Sequence, residues 1–391
     1  MKFYRIIATL LSPLSIQKTR LSSGSETLSY LPGSSLRGAF AAKYFQEGGG
    51  PEDDDFKRLF IEDPVCFPNL LPSDDEGKII PQVLPLTSVS CKRFPGFRSN
   101  ALHGVRDTLS KKLVERNSRE GLIDWLCPIC DEEMTDIAGY WNGDILAPAR
   151  YEPTLFFQRH TGIDRLTGTI APTVFYITQA MADYRRRPSE GDPEDGYCRQ
   201  VLSGGVFMDE VQHAILNTLA HGPLFVGADR TRGMGELHVV IEPSDIAPPD
   251  VEGWDQSFKT KVLSLAKGDL REDMNSGVYF SVKLESHAIL VDEFLRPTPE
   301  LDLGLPGVKA VMKVAKPQII RGWNSAWRMP KPDDMGVMMG SVYLFRYEAK
   351  DVEVLSRLLA NLTINGVGLR REEGFGRVVA CEPFHIQEEV I

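Results

Sequence analysis

The feature that most restricts this chain is a loop written twice. "FVGADRTRGMGEL" places Gly227, Gly233 and Gly235 behind Val226, and "GVGLRREEGFGRV" places Gly368, Gly374 and Gly376 behind Val367. Each glycine of the first loop recurs 141 positions later (227 to 368, 233 to 374, 235 to 376). Arg230 and Arg232 lie in the first wide gap, Arg370 and Arg371 in the second. Glycines this dense let a backbone turn through positive φ and approach a ligand with its amides exposed. Arginines between them suit a phosphate. The repetition predicts a duplicated domain built around an anion-binding hairpin.

The flanks repeat as well. An amphipathic helical pattern precedes each loop, "FMDEVQHAILNTLAH" near 207–221 and "DVEVLSRLLANL" near 351–362. Val211, Ile215 and Leu219, and Val354, Leu358 and Leu362, recur every four positions, as one helix face requires. A strand-like run follows each loop, "ELHVVIEP" and "RVVACEPF", and each half opens on another, "KFYRIIATLL" at 2–11 and "GVYFSVKLES" at 277–286. Strand, variable middle, helix, glycine loop, strand is the order of a ferredoxin-like (RRM-like) fold used twice. The expected class is α+β. The first domain covers 1–245 with an insertion at 50–150, and the second covers 275–391. A linker around "IAPPDVEGWDQ" joins them.

Apolar content of 42% and charged content of 25% suit a globular chain of this length. Lys2 and Arg5 precede "IIATLL", but Ser12 and Pro13 interrupt that run, which reads as a strand and not as a leader. No apolar stretch approaches the ~20 residues of a membrane span. Six cysteines with one Cys-x-x-Cys pair suit a reducing cytoplasm, the expected location. The net charge of −10 is unevenly spread. Residues 1–50 hold six Lys/Arg against two Glu, and 303–332 hold six cations and no acid, whereas acid gathers in "PEDDD", "SDDE" and "EGDPED". Local potential, not the sum, decides whether a nucleic acid can bind.

Three further segments carry chemistry. "KPQIIRGWNSAWRMPKP" offers Lys316 and Arg321 for phosphates and Trp323 for stacking on an unpaired base, unless Trp323 and Trp327 pack into the core. In "LPGSSLRGAFAAKYF", Ser34 or Ser35 can N-cap the following helix, whose positive N-terminus is a ready phosphate site. Arg37 lies near that end, where a cation is unfavourable unless an anion sits nearby. Cys127-Pro-Ile-Cys130 has the spacing of a zinc knuckle, with Cys91, His103 and Cys66 as upstream candidates for the remaining ligands.

The glycine loops resemble the signature of the RAMP superfamily of CRISPR-associated proteins, and "LPGSSLRG" resembles that family's segment after the first strand. "CKRFPGF", "HGVRDTL" and "CPIC" across 91–130 resemble the insertion of the RAMP subunit of type III-D effector complexes. The resemblance covers nearly the whole chain. It implies a non-catalytic, RNA-binding subunit that holds the five-prime tag of crRNA. Its implied contacts are the large polymerase-like subunit, backbone RAMP subunits and, indirectly, target RNA, with no membrane partner. It also implies one structural zinc held by Cys91, His103, Cys127 and Cys130. The RNA contacts it implies are Ser34, Ser35, Arg37, Gly227, Arg230, Arg232, Gly233, Gly235, Lys316, Arg321, Trp323, Gly368, Arg370, Arg371, Gly374 and Gly376.

Other chemistries lack their residues. A zinc deaminase needs His-x-Glu ahead of Pro-Cys-x-x-Cys, yet Leu126 precedes Cys127 and no His-x-Glu occurs. Gly-x-Ser-x-Gly, His-Glu-x-x-His and a Walker loop are also missing. The alternative function is a metal-independent endoribonuclease that cuts repeat RNA. Its general base, general acid and cation would be drawn from His160, Tyr151 and Arg159, with Arg159 as the cation.

Overall fold

A computed structural model describes residues 1–21, 24–98, 102–117, 125–186, 196–266, 274–324, 327, 329–349, 351–387 and 389–391. The chain is α+β, with six helices and mainly antiparallel sheets among the described residues. None of these helices is long and apolar enough to cross a membrane. The acidic run at 190–195 and Arg328 lie outside the described residues.

The residues form two compact units, Met1–Pro81 with Tyr151–Ile246 and Glu372–Gly374, and Gln82–Arg150 with Ala247–Arg371 and Phe375–Ile391. Residues 50–150 are therefore divided: 50–81 pack with the first unit and 82–150 with the second.

In the first unit the strand Lys2–Leu10 lies between Val201–Met208 and Glu236–Pro243, antiparallel to both. Leu71–Pro72 extends the sheet beyond Val201–Met208, and Leu224–Phe225 extends it beyond Glu236–Pro243. Tyr4, Ile6, Ala8 and Leu10 alternate along one face and are buried, as period-2 side chains of a half-covered strand must be. They share a core with Leu36 and Phe40 of the helix Gly33–Gln46 and Leu216 and Leu219 of the helix Glu210–Leu219. A capping box starts the second of these helices: Gln212 N donates to Asp209 Oδ1 at 2.8 Å, and Asp209 N to Gln212 Oε1 at 3.0 Å. A separate four-stranded sheet contains the long hairpin Leu155–Ile163 with Ile170–Met181.

The second unit repeats the plan. Val278–Leu284 lies between Val342–Tyr347 and Val378–Ala380, and Val308–Val314 adds the outer edge, all antiparallel. In both units the strands run fourth, first, third, second across the sheet, and a helix with an Asp N-cap (Asp209, Asp351) connects third to fourth. The units differ at the first helix. No helix lies between Val278–Leu284 and Val308–Val314; the helix Val251–Leu265, from the run read as a linker, packs on that sheet instead. Asp255 of this helix accepts from Tyr279 N at 2.7 Å. Every residue of Val278–Leu284 is buried, so both its faces are covered.

The two expected helix faces hold in part: Ile215 and Leu219, and Leu358 and Leu362, pack on the cores, whereas Val211 and Val354 are exposed. In Glu210–Leu219 the buried residues are Gln212, Leu216 and Leu219, with Val211 48% exposed. In Val352–Asn365 they are Leu355 and Leu359, with Val354 39% exposed. Adjacent apolar rows both satisfy a four-residue spacing, and tertiary packing chooses between them.

The two glycine loops are held alike. Val226 N donates to Gly235 O at 2.9 Å, Ala228 N to Ser15 O at 2.8 Å and Gly235 N to Pro13 O at 2.8 Å. The second loop reproduces all three: Val367 N to Gly376 O at 2.8 Å, Leu369 N to Ile289 O at 3.0 Å and Gly376 N to His287 O at 2.8 Å. Gly235 and Gly376 have φ of 84° and 71°, and a Cβ on either would collide with the carbonyl oxygen of Val226 or Val367. Gly233 also has positive φ, 79°, but open space around it. Gly233→Ala is expected to cost about 1–2 kcal/mol, the strain of a left-handed alanine, and Gly235→Ala distinctly more. Denaturant unfolding of both variants checks this, and equal losses would show that the collision is unimportant.

Candidate metal centre and nucleic-acid interface

Cys91 ends the strand Ser88–Cys91, His103 precedes the strand Val105–Asp107, and Cys127 and Cys130 lie on the turn before Met134–Asp136. These three strands form one sheet, so pairing brings the four residues together. Their ligand atoms all lie within 4.8 Å of one another. Cys91 Sγ is 3.6 Å from Cys130 Sγ, and Cys127 Sγ is 3.3 Å from His103 Nδ1. Zinc bonds of about 2.3 Å to sulfur and 2.0–2.1 Å to nitrogen, at tetrahedral angles, require ~3.8 and ~3.6 Å for these separations. The donor set therefore fits a metal ion. Cys66 is not part of the group.

The turn itself is set by backbone. Cys127 N donates to Glu132 O at 2.8 Å, Asp131 N to Cys127 O at 2.9 Å, and Asp131 takes φ of 56°. Burial raises the Cys91 thiol, but hydrogen bonds from the Phe94 and Arg93 backbone N–H groups and from Cys130 and Cys127 together outweigh it and hold the thiol below its ordinary value. At Cys130 the Glu132 N–H favours the thiolate. Burial and the Cys91 and Cys127 sulfurs overcome that and push the thiol up to about 11. The thiolate is encouraged at Cys91 and resisted at Cys130, a conflict that a divalent cation removes.

The glycine loops bear on anion binding differently from expectation. The amides of Val226, Ala228, Arg232, Gly233 and Gly235 donate to backbone carbonyls, so these five do not face a ligand. The arginines are what the loops present. Arg230 is exposed. Arg232 is half exposed beside Asp229 at 3.1 Å, with its guanidinium 5.8 Å from the Tyr176 ring centroid. Arg371 is exposed and donates to Asn365 O at 3.2 Å. Arg370 is engaged, paired with Asp334 at 2.5 Å and lying over the Phe375 ring.

Ser34 and Ser35 do not cap their helix; it starts at Gly33, with Pro32 in the N-cap position. Proline preorganises the helix start, and Asn69 Oδ1 accepts from Gly33 N at 2.9 Å in place of a serine cap. Gly374 packs against Gly33, where a Cβ on Gly374 would come 3.1 Å from Gly33 Cα. The expected conflict at Arg37 is relieved locally: its guanidinium donates to Phe60 O at 2.8 Å and lies over the Phe60 ring.

Lys316 pairs with Asp136 at 3.5 Å and Arg321 with Asp333 at 3.3 Å, both in solvent. Pro317–Ile320 pairs with Asp334–Val337, and Trp323–Asn324 with Met329–Pro330, forming an arm. Trp323 is 61% and Trp327 75% exposed, so neither indole fills a core.

No protein-family model and no curated protein matches this chain. Among solved structures it is similar to a chain of the type III-B Cmr-beta complex bound to cognate target RNA and AMPPnP. That match has 13% identity and a TM-score of 0.38, and covers 87% of this chain and 86% of the other. A chain of the apo Cmr-beta complex gives 10% identity and a TM-score of 0.31, covering 61% of this chain and 97% of the other. Likeness of this degree carries no weight for function.

Sequence reading missed His287, which anchors the second loop through its carbonyl and accepts from Met339 N at 3.0 Å through Nδ1. Burial pushes its pKa down to about 4. Unfolding lets this imidazole take up a proton, so its stabilising effect is complete above the unfolded value of 6.5 and disappears as pH falls towards 4. The wild type should lose on the order of 2–3 kcal/mol across that window from this group, and His287→Asn should flatten the slope. Denaturant unfolding against pH measures both; parallel slopes would remove His287 from the account.

Proposed function

We propose that this chain is a non-catalytic RNA-binding subunit of a type III CRISPR effector complex that holds the five-prime tag of crRNA. In this reading it is built from two ferredoxin-like domains and neighbours the large polymerase-like subunit and backbone RAMP subunits. The observation that carries the reading is the duplicated clamp. Two loops with the same glycine spacing make the same three backbone bonds, one across the loop and two to the segment after the first strand, in two sheets of the same strand order. Each loop then lifts arginines to the surface. With the amides of Val226, Ala228, Arg232, Gly233 and Gly235 and of Val367, Leu369 and Gly376 donating to carbonyls, Arg230, Arg232 and Arg371 would meet the phosphates through guanidinium forks. The exposed Trp323 and Trp327 supply stacking surface, with Lys316 and Arg321 beside them. The metal in the four-residue site is zinc, in a structural role: all four positions are protein ligands, which leaves none open for a substrate.

The endoribonuclease alternative asks Arg159 and His160 to work on one phosphate. They are consecutive in the strand Leu155–Ile163, paired with Ile177 and Tyr176, and consecutive strand residues point to opposite faces. His160 is stacked on Tyr176, with ring centroids 4.6 Å apart. This geometry favours binding over cleavage.

Sequencing the RNA that co-purifies tests the function. A discrete small RNA with a constant five-prime end supports it, and heterogeneous RNA or none counts against it. Arg232→Glu and Arg371→Glu should each weaken crRNA retention by ~1–3 kcal/mol, at unchanged melting temperature and with a shallower salt dependence. Loss of stability with normal affinity would make the arginines structural. Cleavage of repeat RNA, abolished by His160→Ala, would establish the nuclease instead.

Protein prepared without chelators should contain about one zinc per chain, the number one four-ligand site holds, and Cys127→Ser should lose it. Elemental analysis decides, and a metal-free wild type would end the zinc reading.

A further inference from the structure

The metal site and the segment 383–391 meet on one short strand. Val105–Asp107 begins two residues after His103 and pairs along one edge with Ser88–Cys91, which ends on Cys91. Both ligands therefore lie at the Val105 end of this strand. Val105 exchanges both backbone bonds with Ile391, N to O at 2.9 Å and O from N at 3.0 Å, and Arg98 N also donates to Ile391 O at 3.0 Å. Between His103 and Val105 sits Gly104, where a Cβ would stand 2.8 Å from Val390 Cβ and 3.1 Å from Ile391 O. Val390 packs against the cluster of Val89, Cys91, Cys127 and Met134. At the other end of the strand Asp107 is buried and bonded to His385 Nδ1 at 3.0 Å, Thr87 Oγ1 at 2.5 Å and Leu109 N at 2.9 Å.

We propose that metal occupancy and the seating of residues 383–391 are thermodynamically coupled, with Val105–Asp107 as the linking element. The inference rests on the metal reading above. Metal bound at Cys91 and His103 fixes where Val105 presents its backbone groups to Ile391. Without it, the sulfurs and imidazole drawn within 4.8 Å lose their common tie. The Ile391–Val105 pairing is then left to its own two bonds, the Arg98 N–Ile391 O bond and the packing of Val390, which itself lies against Cys91 and Cys127. Linkage makes the effect reciprocal: whatever unseats this segment weakens the metal by the same factor.

Hydrogen exchange read by mass spectrometry on the full chain tests this, with metal content measured on each sample. Stripping zinc with a chelator should speed exchange in peptides covering 383–391 and 105–107 by about tenfold or more, within the range of ordinary coupling. Peptides covering Lys2–Leu10 should not change, and added zinc should restore protection. One zinc per chain with unchanged exchange at 383–391 overturns the coupling and leaves the metal reading standing. A chain that binds no zinc overturns both. In the converse arm, deleting Val390 and Ile391 should make zinc easier to remove by a competing chelator, by the factor seen in exchange. Equal retention in both proteins overturns the proposal.

Discussion

The close approach of Gly235 to the Val226 carbonyl, and of Gly376 to that of Val367, is the constraint on which both sheets depend. In each unit the chain leaves a helix, must reverse, and must then pair antiparallel beside the first strand. The reversal is tight enough that the amide behind the first glycine and the carbonyl of the last one bond to each other. Two more bonds tie the loop to Pro13 and Ser15, or to His287 and Ile289, just past the end of the first strand. Those ties set the register Leu10 opposite Leu237 and Leu284 opposite Val378. A one-residue slip would turn the buried face of either final strand to solvent. The glycines are thus explained by the fold alone. The arginines are not, because nothing in the clamp requires a cation, and they carry whatever evidence of a ligand the loops contain.

That separation shows which parts of the molecule the sequence discloses. Strand positions and the repeat were legible because alternation and glycine spacing are local. The four metal-site residues were legible because Cys-x-x-Cys constrains two of them and the neighbouring pattern supplies the others. The helix faces were legible except at their first positions, where Val211 and Gln212, or Val354 and Leu355, differ by a single step that only the partner surface decides. Val251–Leu265 looked like a linker because Pro248, Pro249 and Gly253 punctuate its start, yet Asp250 caps it, accepting from Gly253 N at 2.9 Å. The role of Ser34 was assigned to a cap that Pro32 and Asn69 fill, and Asn69 is 36 residues from Gly33, beyond the reach of any local pattern.

The least legible feature is charge inside the second unit. Lys283 lies in a strand that reads as one polar face, "VYFSVKL", yet its side chain has no solvent exposure. Its Nζ meets Glu382 at 2.6 Å, Glu285 at 2.5 Å and Val83 O at 2.8 Å. Burial disfavours its charge, but Glu285 and Glu382 outweigh that and hold its pKa above the ordinary value. Asp107 is similarly disfavoured by burial and held below its ordinary value by His385.

Buried ion pairs rarely stabilise a fold more than apolar side chains of equal volume would, because desolvating each ion costs several kcal/mol. What they impose is a penalty for misplacement, since a partner withdrawn leaves an uncompensated charge in a low dielectric. Here the partners come from separate stretches: Asp107 from the metal-bearing segment, Lys283 and Glu285 from the sheet's first strand and its exit, and Glu382 and His385 beyond the last strand. Lys261 joins them by donating to His385 O at 3.0 Å. An aliphatic core would tolerate small slides of one segment over another. This network does not, so Asp107 and the strand end that carries it are held to one position on the sheet of their unit.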